Sequence, residues 1–362
     1  MYLYGSNLRY YFLMLEFSAV QLQKLALTYV GNKGRYEGVS IPKQTLVPVH
    51  DAAEEMLIGA FFKPFEKTEE HFFFFHEEDV SNHPVYQSCM NIFRDEETLN
   101  AEAATLTQRL YEHCELPKIK GGEFFVALFD QVSVSGEMTR AIALVKIQNK
   151  DSYLKVERTA ESHTLQLLEG IPLGKLETAA LIFELDEAEG YRMCTVDTVS
   201  KKNDRSFWKD DFLRVRPIED NYFNTRHYIN LSSDFITQAL PKEFPTERTE
   251  QLDLLYRSGL YFKENEHFEV DDFAESLFQE EEQKEAFKTY RDTYSKAYAV
   301  PLENQFDISG SAVKKEFKVL KSVIKLDKNF HIYVHGRRDL IERGYDEARD
   351  KKYYKVYFDD ED

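Results

Sequence analysis

GGEFFVALFDQVSVSG (121–136) runs directly into EMTRAIALVKIQ (137–148). Both runs are rich in β-branched and aromatic residues, and Ser135-Gly136 between them has the composition of a tight turn. Strands joined by so short a connection pair antiparallel. Strand-like runs at 163–168, 178–185 and 191–199 continue the pattern, so the middle of the chain predicts an antiparallel sheet.

Upstream, residues 15–49 are broken by Gly31, Gly34 and Gly38 and read as two or three short strands. Ala53, Met56-Leu57 and Ala60-Phe61 then fall on one face of a helix over 50–62, with Asp51 as its expected cap. HFFFFH (71–76) is too short for a helix and rich in a strong β-former, which predicts a buried strand. Leu99, Ala103, Leu106 and Leu110 mark a helix from about Glu96 to His113, ending before Pro117.

Downstream of residue 221 the period changes to helical. Ile229, Phe235-Ile236 and Leu240 mark one helix; Leu252, Leu255-Tyr256 and Leu260 a second; Phe273 and Leu277-Phe278 a third. A fourth spans Glu281–Tyr298, with Phe287, Tyr290 and Tyr294 on one face. The segment 317–358 returns to β character with VIKLDKNFHIYV and YYKVYF. The expected class is α+β: an antiparallel β-sheet N-terminal domain with flanking helices over 14–220, a helical middle region over 221–300, and a basic C-terminal β segment with an acidic tail over 301–362. Residues 1–13 read as an N-terminal extension, with Met14 an alternative start.

With 43% hydrophobic and 14% aromatic residues, a sizeable packed core is expected. The net charge of −18 argues against a protein that coats DNA by bulk electrostatics, although a basic face on an acidic body remains compatible with it. Three widely spaced cysteines (Cys89, Cys114, Cys194) without a C-x-x-C pair give neither a zinc ribbon nor a disulfide framework. They fit a reduced compartment. No apolar run reaches membrane-span length, so a cytoplasmic protein is expected.

The charge is segregated. Residues 311–355 carry thirteen Lys and Arg against seven acids, and Lys201–Arg216 carries six against three. Glu264–Glu285 holds ten acids and one lysine. Such runs arise wherever amphipathic elements solvate an outer face. The sharper reading is that the basic segments contact phosphates. The candidate DNA-binding residues are Arg337, Arg338, Arg343, Lys314, Lys315, Lys318 and Lys321 in the C-terminal segment, and Lys201, Lys202, Arg205, Arg214 and Arg216 in the earlier one. In KNFHIYVHGRRDLIERG (328–344) an alternating apolar run ends in Gly336 and paired arginines, a strand followed by an exposed basic turn. Tyr353 and Tyr357 flank Lys355 and form a candidate stacking platform.

Catalytic patterns fail on inspection. GIPLGK (170–175) lacks phosphate-loop spacing and reads as a turn. His71 and His76 bracket a strand on opposite faces, so with His83 they do not converge on a metal. His331 and His335 would stand about 13 Å apart at strand rise. Neither an enzyme nor a cofactor is expected.

Four segments, EMLIGAFFKPFEKTEEHFFFF (55–75), residues 121–148, FWKDDFLRVRP (207–217) and VIKLDKNFHIYV…YYKVYF, together resemble the bacterial nucleoid-associated proteins of the NdpA/YejK type, in that family's order. The resemblance implies a cytoplasmic protein of the nucleoid without a recognised active site. It would associate with double-stranded DNA directly or through DNA-handling proteins such as type II topoisomerases. The F-L-[basic]-x-[basic] motif carries Arg214 and Arg216 over as recurring positions. Large aromatic strands and a weak basic face suit a homodimer, in which symmetry doubles that face. Two further readings stand beside DNA association: a protein-interaction module docking through the acidic stretch Glu264–Glu285, and a metal-dependent nucleic-acid enzyme.

Overall fold

A computed structural model describes residues 15–360 except 67, 69, 202, 203, 299, 317–321, 327–329 and 335–339, with backbone alone for 322–325, 331, 333 and 334. Residues 1–13 and Met14 lie outside it. The fold is α+β, and the chain divides into two compact units, 1–218 and 219–362.

In the first unit the hairpin of 121–148 is the centre of the sheet. Strand β5 (Gly122–Val134) and β6 (Glu137–Ile147) pair antiparallel across Ser135 and Gly136, whose φ angles of 54° and 82° give the left-handed turn suited to strand twist. Before them come β1 (Leu15–Glu16), β2 (Gln21–Val30), β3 (Val39–Ser40), helix α1 (Asp51–Phe62), β4 (Phe72–Phe74), α2 (Pro84–Arg94) and α3 (Leu99–Glu112). After them come β7 (Asp151–Arg158), β8 (His163–Gly170), β9 (Thr178–Phe183), β10 (Met193–Asp197), a π-helical turn at Phe207–Leu213 and β11 (Val215–Pro217). Among the described residues nine strands form one sheet in the order β11-β4-β10-β9-β6-β5-β2-β3, with β1 also on β5.

Period-two alternation explains why β5 is apolar almost throughout. Phe124, Val126 and Leu128 enter a core with Ile92, Leu106 and Leu110 of α2 and α3. Phe125, Ala127 and Phe129 enter another with Phe61 and Phe62 of α1, ring to ring at 5.1–6.4 Å. Both faces are covered, so no polar face is needed. Each fully buried large side chain stabilises by about 1.5–3 kcal/mol before conformational entropy is counted.

Three local expectations are corrected. Asp51 is the first residue of α1 and not its cap; His50 holds that position without a side-chain bond. The carboxylate instead sits in the first turn, where it complements the helix dipole. The helix expected from Glu96 begins at Leu99, after a 3-10 turn over Glu96–Thr98 capped by Asp95. α2, which the sequence reading missed, carries its apolar face on Val85, Cys89, Ile92 and Phe93, with Pro84 at its first position.

The second unit begins with α4 (Asn221–Asp234), a π-helical turn (Phe235–Ala239) and α5 (Leu240–Glu243). It continues through α6 (Arg248–Glu264), β12 (His267–Glu269), α7 (Val270–Leu277), α8 (Glu281–Tyr298), β13 (Gln305–Asp307) and α9 (Gly310–Glu316). Two hairpins close it: β14 (Ser322–Leu326) with β15 (Phe330–Val334), and β16 (Ile341–Asp346) with β17 (Lys351–Val356). Its core is an aromatic cluster of Tyr228, Phe235, Phe262, Phe268, Phe273, Phe287 and Phe306, and Phe287 is core as its spacing suggested. Leu326, Ile332, Ile341 and Tyr354 pack partly against the same cluster, which ties the hairpins to the helices. The basic turn expected at Gly336, Arg337 and Arg338 lies outside the described residues; from Ile341 the chain is strand, with Ile341, Arg343 and Tyr345 opposite Val356, Tyr354 and Lys352. No helix among the described residues is long and apolar enough to cross a membrane.

Candidate nucleic-acid interface

The π-helical turn sets up the first basic surface. Phe207, Trp208, Phe212 and Leu213 are buried beneath the sheet, and Trp208 donates its indole N–H to Thr195 Oγ1 at 3.0 Å. Ser206 caps the turn: its Oγ accepts from Lys209 N at 2.9 Å and donates to Asp197 Oδ2 at 2.5 Å. Asp210 accepts from Ser206 N at 2.7 Å, and Asp211 pairs with Arg205 at 2.6 Å. These acids are therefore engaged in holding the turn or its neighbouring arginine.

The turn ends at Arg214, whose φ of 44° lies in the left-handed region and swings the chain into edge strand β11. Its carbonyl accepts from Phe75 N at 2.9 Å. Arg216 is exposed at the sheet edge, its guanidinium 5.9 Å from the Phe75 ring centre. Lys209 lies 5.0 Å over Phe72.

Half-buried Arg109 and His113, from the end of α3, share an electrostatic environment with Arg214 and with His83 at the start of α2. His83 is fully buried; its Nδ1 accepts from Tyr86 N at 3.1 Å and caps α2. Burial first, then the charges of Arg109 and Arg214, push its pKa from 6.5 down to about 4. Burial also lowers Arg109 and His113, in each case with a neighbouring arginine adding to the effect. Among the described residues neither Arg109 nor Arg214 has a carboxylate within ion-pair distance, and Arg109 Nε and His113 Nε2 are buried without hydrogen-bond partners. The acids that act on the cluster at longer range are Glu112 and Asp211, the latter shared with Arg205. Cations gathered with so little compensation make a surface suited to an added anion.

The second basic surface is hairpin β16–β17. Gly344 faces Tyr353, and a Cβ there would lie 2.3 Å from the ring, so only glycine lets the tyrosine lie across the strand. Tyr353, Lys355 and Tyr357 alternate onto the face opposite Ile341 and Tyr354 and are exposed. Lys355 Nζ stands 4.6 Å over the Tyr357 ring, and Tyr357 Oη donates to Glu342 Oε2 at 2.8 Å. Tyr353, Lys355 and Tyr357 thus share one exposed face, on which Lys351 also lies and where Glu342 opposes Lys355 and Asp346 opposes Lys351.

The remaining sequence candidates are dispersed. Lys201 is exposed in the loop before the π-helical turn, Lys314 is exposed on α9, and Arg343 is exposed on β16. Lys315 sits 5.6 Å over Tyr222, while neighbouring Glu316 is buried beside Arg226 at 3.6 Å. Lys202, Lys318, Lys321, Arg337 and Arg338 lie outside the described residues. Sequence reading missed Arg109 and His113. Their spacing, one helical turn apart at the end of an amphipathic helix, was the available signal. Among the described residues no group of three or more His, Cys, Asp or Glu is arranged to hold a metal.

The first unit thus gathers arginines near a sheet edge, and the second carries an exposed hairpin with tyrosine and lysine side chains. A family model described as nucleoid-associated protein YejK matches residues 31–355, and the chain belongs to that family. No curated protein matches the chain.

Proposed function

We propose that this chain is a non-enzymatic protein of the bacterial nucleoid that associates directly with double-stranded DNA, holding backbone phosphates without reading sequence. The observation that carries the proposal is the pair Arg109 and Arg214, half-buried near one another with no carboxylate in ion-pair distance among the described residues. Guanidinium forks in this state gain from phosphate oxygens what they lack from the protein. Arg216, Lys201 and Arg343 add exposed charge. Contacts of this kind position a duplex but do not discriminate bases.

The test is fluorescence anisotropy of a labelled duplex at about 50 and about 200 mM salt, with wild type beside Arg109→Gln/Arg214→Gln and Arg337→Glu/Arg338→Glu. The expected result is salt-sensitive binding whose log–log slope shrinks by about 0.9 for each phosphate contact removed. Absence of binding at the lower salt rejects direct contact.

A second reading has its own support. Asp272 and Glu275 on α7, Glu280 just before α8, and Glu282 and Glu285 on α8 (the last paired with Lys288 at 3.7 Å) are exposed, an acidic stretch suited to a basic surface of a DNA-handling enzyme such as a type II topoisomerase. In that case nucleoid association would survive the arginine substitutions and fail on neutralising these acids.

A further inference from the structure

Between β2 and β3 the chain makes a short loop, GNKGRYEG (31–38), built on a 3-10 turn at Lys33–Arg35. Bonds within the loop and to its neighbour fix its shape. Gly31 N donates to Gly38 O at 2.8 Å, and Glu37 N to Asn32 O at 3.1 Å. Fully buried Asn32 accepts from Arg35 N at 2.9 Å and donates to the carbonyls of Leu116 and Ile119 at 2.9 and 2.6 Å. Lys33 N donates to Cys114 O at 2.7 Å, which pins the loop to the segment after α3.

Tyr36 ends the turn with φ 59° and ψ 32°. This left-handed region suits glycine or asparagine and disfavours a tyrosine. The ring returns little to the fold, since the residue is 93% exposed. A braced loop thus holds a large aromatic in water at a conformational cost, as a residue kept for a partner would be. Neighbouring charge indicates the partner. Lys33 and Arg35 stand in the same turn, and their ion pairs, to Glu115 at 2.9 Å and Glu37 at 3.8 Å, are exposed and readily exchanged for phosphates. Lys33 and Arg109 both act electrostatically on His113, and Arg214 acts on Arg109. The loop therefore borders the arginine surface.

We propose that Tyr36 is a stacking wedge for DNA: its ring fills an opened base step of a duplex lying on the Arg109 and Arg214 surface, with Lys33 and Arg35 beside the flanking phosphates. This role rests on the phosphate-holding reading of that surface. Stacking one base on an aromatic ring is worth about 5- to 150-fold in affinity, and prising open an intact step costs a comparable factor. The wedge therefore adds little on intact duplex and its full value where a gap has already opened the stack.

Anisotropy of an intact labelled duplex, beside the same duplex with a one-nucleotide gap, reads the effect at about 50 mM salt. Wild type should bind the gapped form about 5- to 150-fold tighter. Tyr36→Gly, which suits the backbone angle, should keep the circular dichroism spectrum and the affinity for intact duplex but lose the preference. Tyr36→Phe should retain it. A 2-aminopurine opposite the gap should be quenched by wild type and not by Tyr36→Gly. Equal binding of the two forms by wild type overturns the wedge and leaves the phosphate reading standing, as does a preference that survives Tyr36→Gly. Binding to neither form overturns both.

Discussion

Acidification should destabilise the first unit through His83, and the size follows from where the ring sits. The imidazole is fully buried, accepts the Tyr86 N–H on Nδ1 and shares its surroundings with Arg109 and Arg214. A proton can enter only at Nδ1, which would turn the cap of α2 from acceptor into donor. The folded pKa of about 4 lies below the ordinary 6.5, so between these values the unfolded chain binds more protons than the folded one. The neutral ring's contribution is thus complete above about pH 6.5, declines as pH falls and is gone below about 4. A gap from 6.5 to about 4 corresponds to about 3.4 kcal/mol in full, of which about 2 kcal/mol is lost by about pH 5.

The chain's single tryptophan makes this measurable in isolation. Trp208 is buried in the first unit, so its fluorescence during urea unfolding follows that unit alone. The comparison is wild type against His83→Asn, since asparagine also caps a helix but does not titrate. The wild-type advantage should shrink by about 2 kcal/mol between about pH 7.5 and 5, whatever its starting size. Arg214→Gln should narrow that pH effect by removing one of the charges that disfavour the imidazolium. A wild-type advantage constant across this range to within about 0.5 kcal/mol would refute the reasoning.

Two further outcomes follow from packing. Gly190 has φ +113°, and a Cβ there would meet the Phe74 carbonyl oxygen at 2.5 Å, whereas Gly136 has φ +82° and open space around it. Gly190→Ala should cost at least about 2 kcal/mol and Gly136→Ala only about 1, read as urea midpoints by the same fluorescence; equal costs would remove the steric part of the argument. All three cysteines are buried, and burial raises their thiol pKa values, that of Cys114 to about 11. Native protein should therefore give almost no thiol titre at pH about 8 and three equivalents when unfolded, and a rapidly reacting native thiol would contradict the packing.

Legibility in the sequence tracked burial and element length. The 121–148 hairpin was readable because two long apolar runs meet at a Ser-Gly turn, and the helices after 221 because their apolar residues recur at helical spacing. α2 escaped notice because its face rests on Cys89 and on paired Ile92 and Phe93, just after the histidines that invited a metal reading. β12 and β13 are three residues each, too short to establish a period. β7 was missed although Leu154 and Val156 alternate, because charged Lys155 and Glu157 interleave them and the strand is exposed throughout. For the candidate interface, residue type and segment were visible for Arg214 and Arg216, but charge counting could not see that Asp211 is occupied by Arg205 while Arg109 comes in from α3. That information is tertiary.

Sheet order also sets a schedule for synthesis on the ribosome. Strand β4 lies between β10 and β11, so Phe72–Phe74 find both neighbours only after Pro217 has been made. About 140 residues separate the two segments, which at ordinary elongation rates is a wait of about 7 to 30 seconds. For that interval four consecutive phenylalanines, a strong β-forming stretch without charge or proline, have no native strand to join. A nascent chain of this protein therefore has reason to engage a holding chaperone near residue 72, and arrest before residue 193 should leave it far more prone to aggregate than arrest after residue 217.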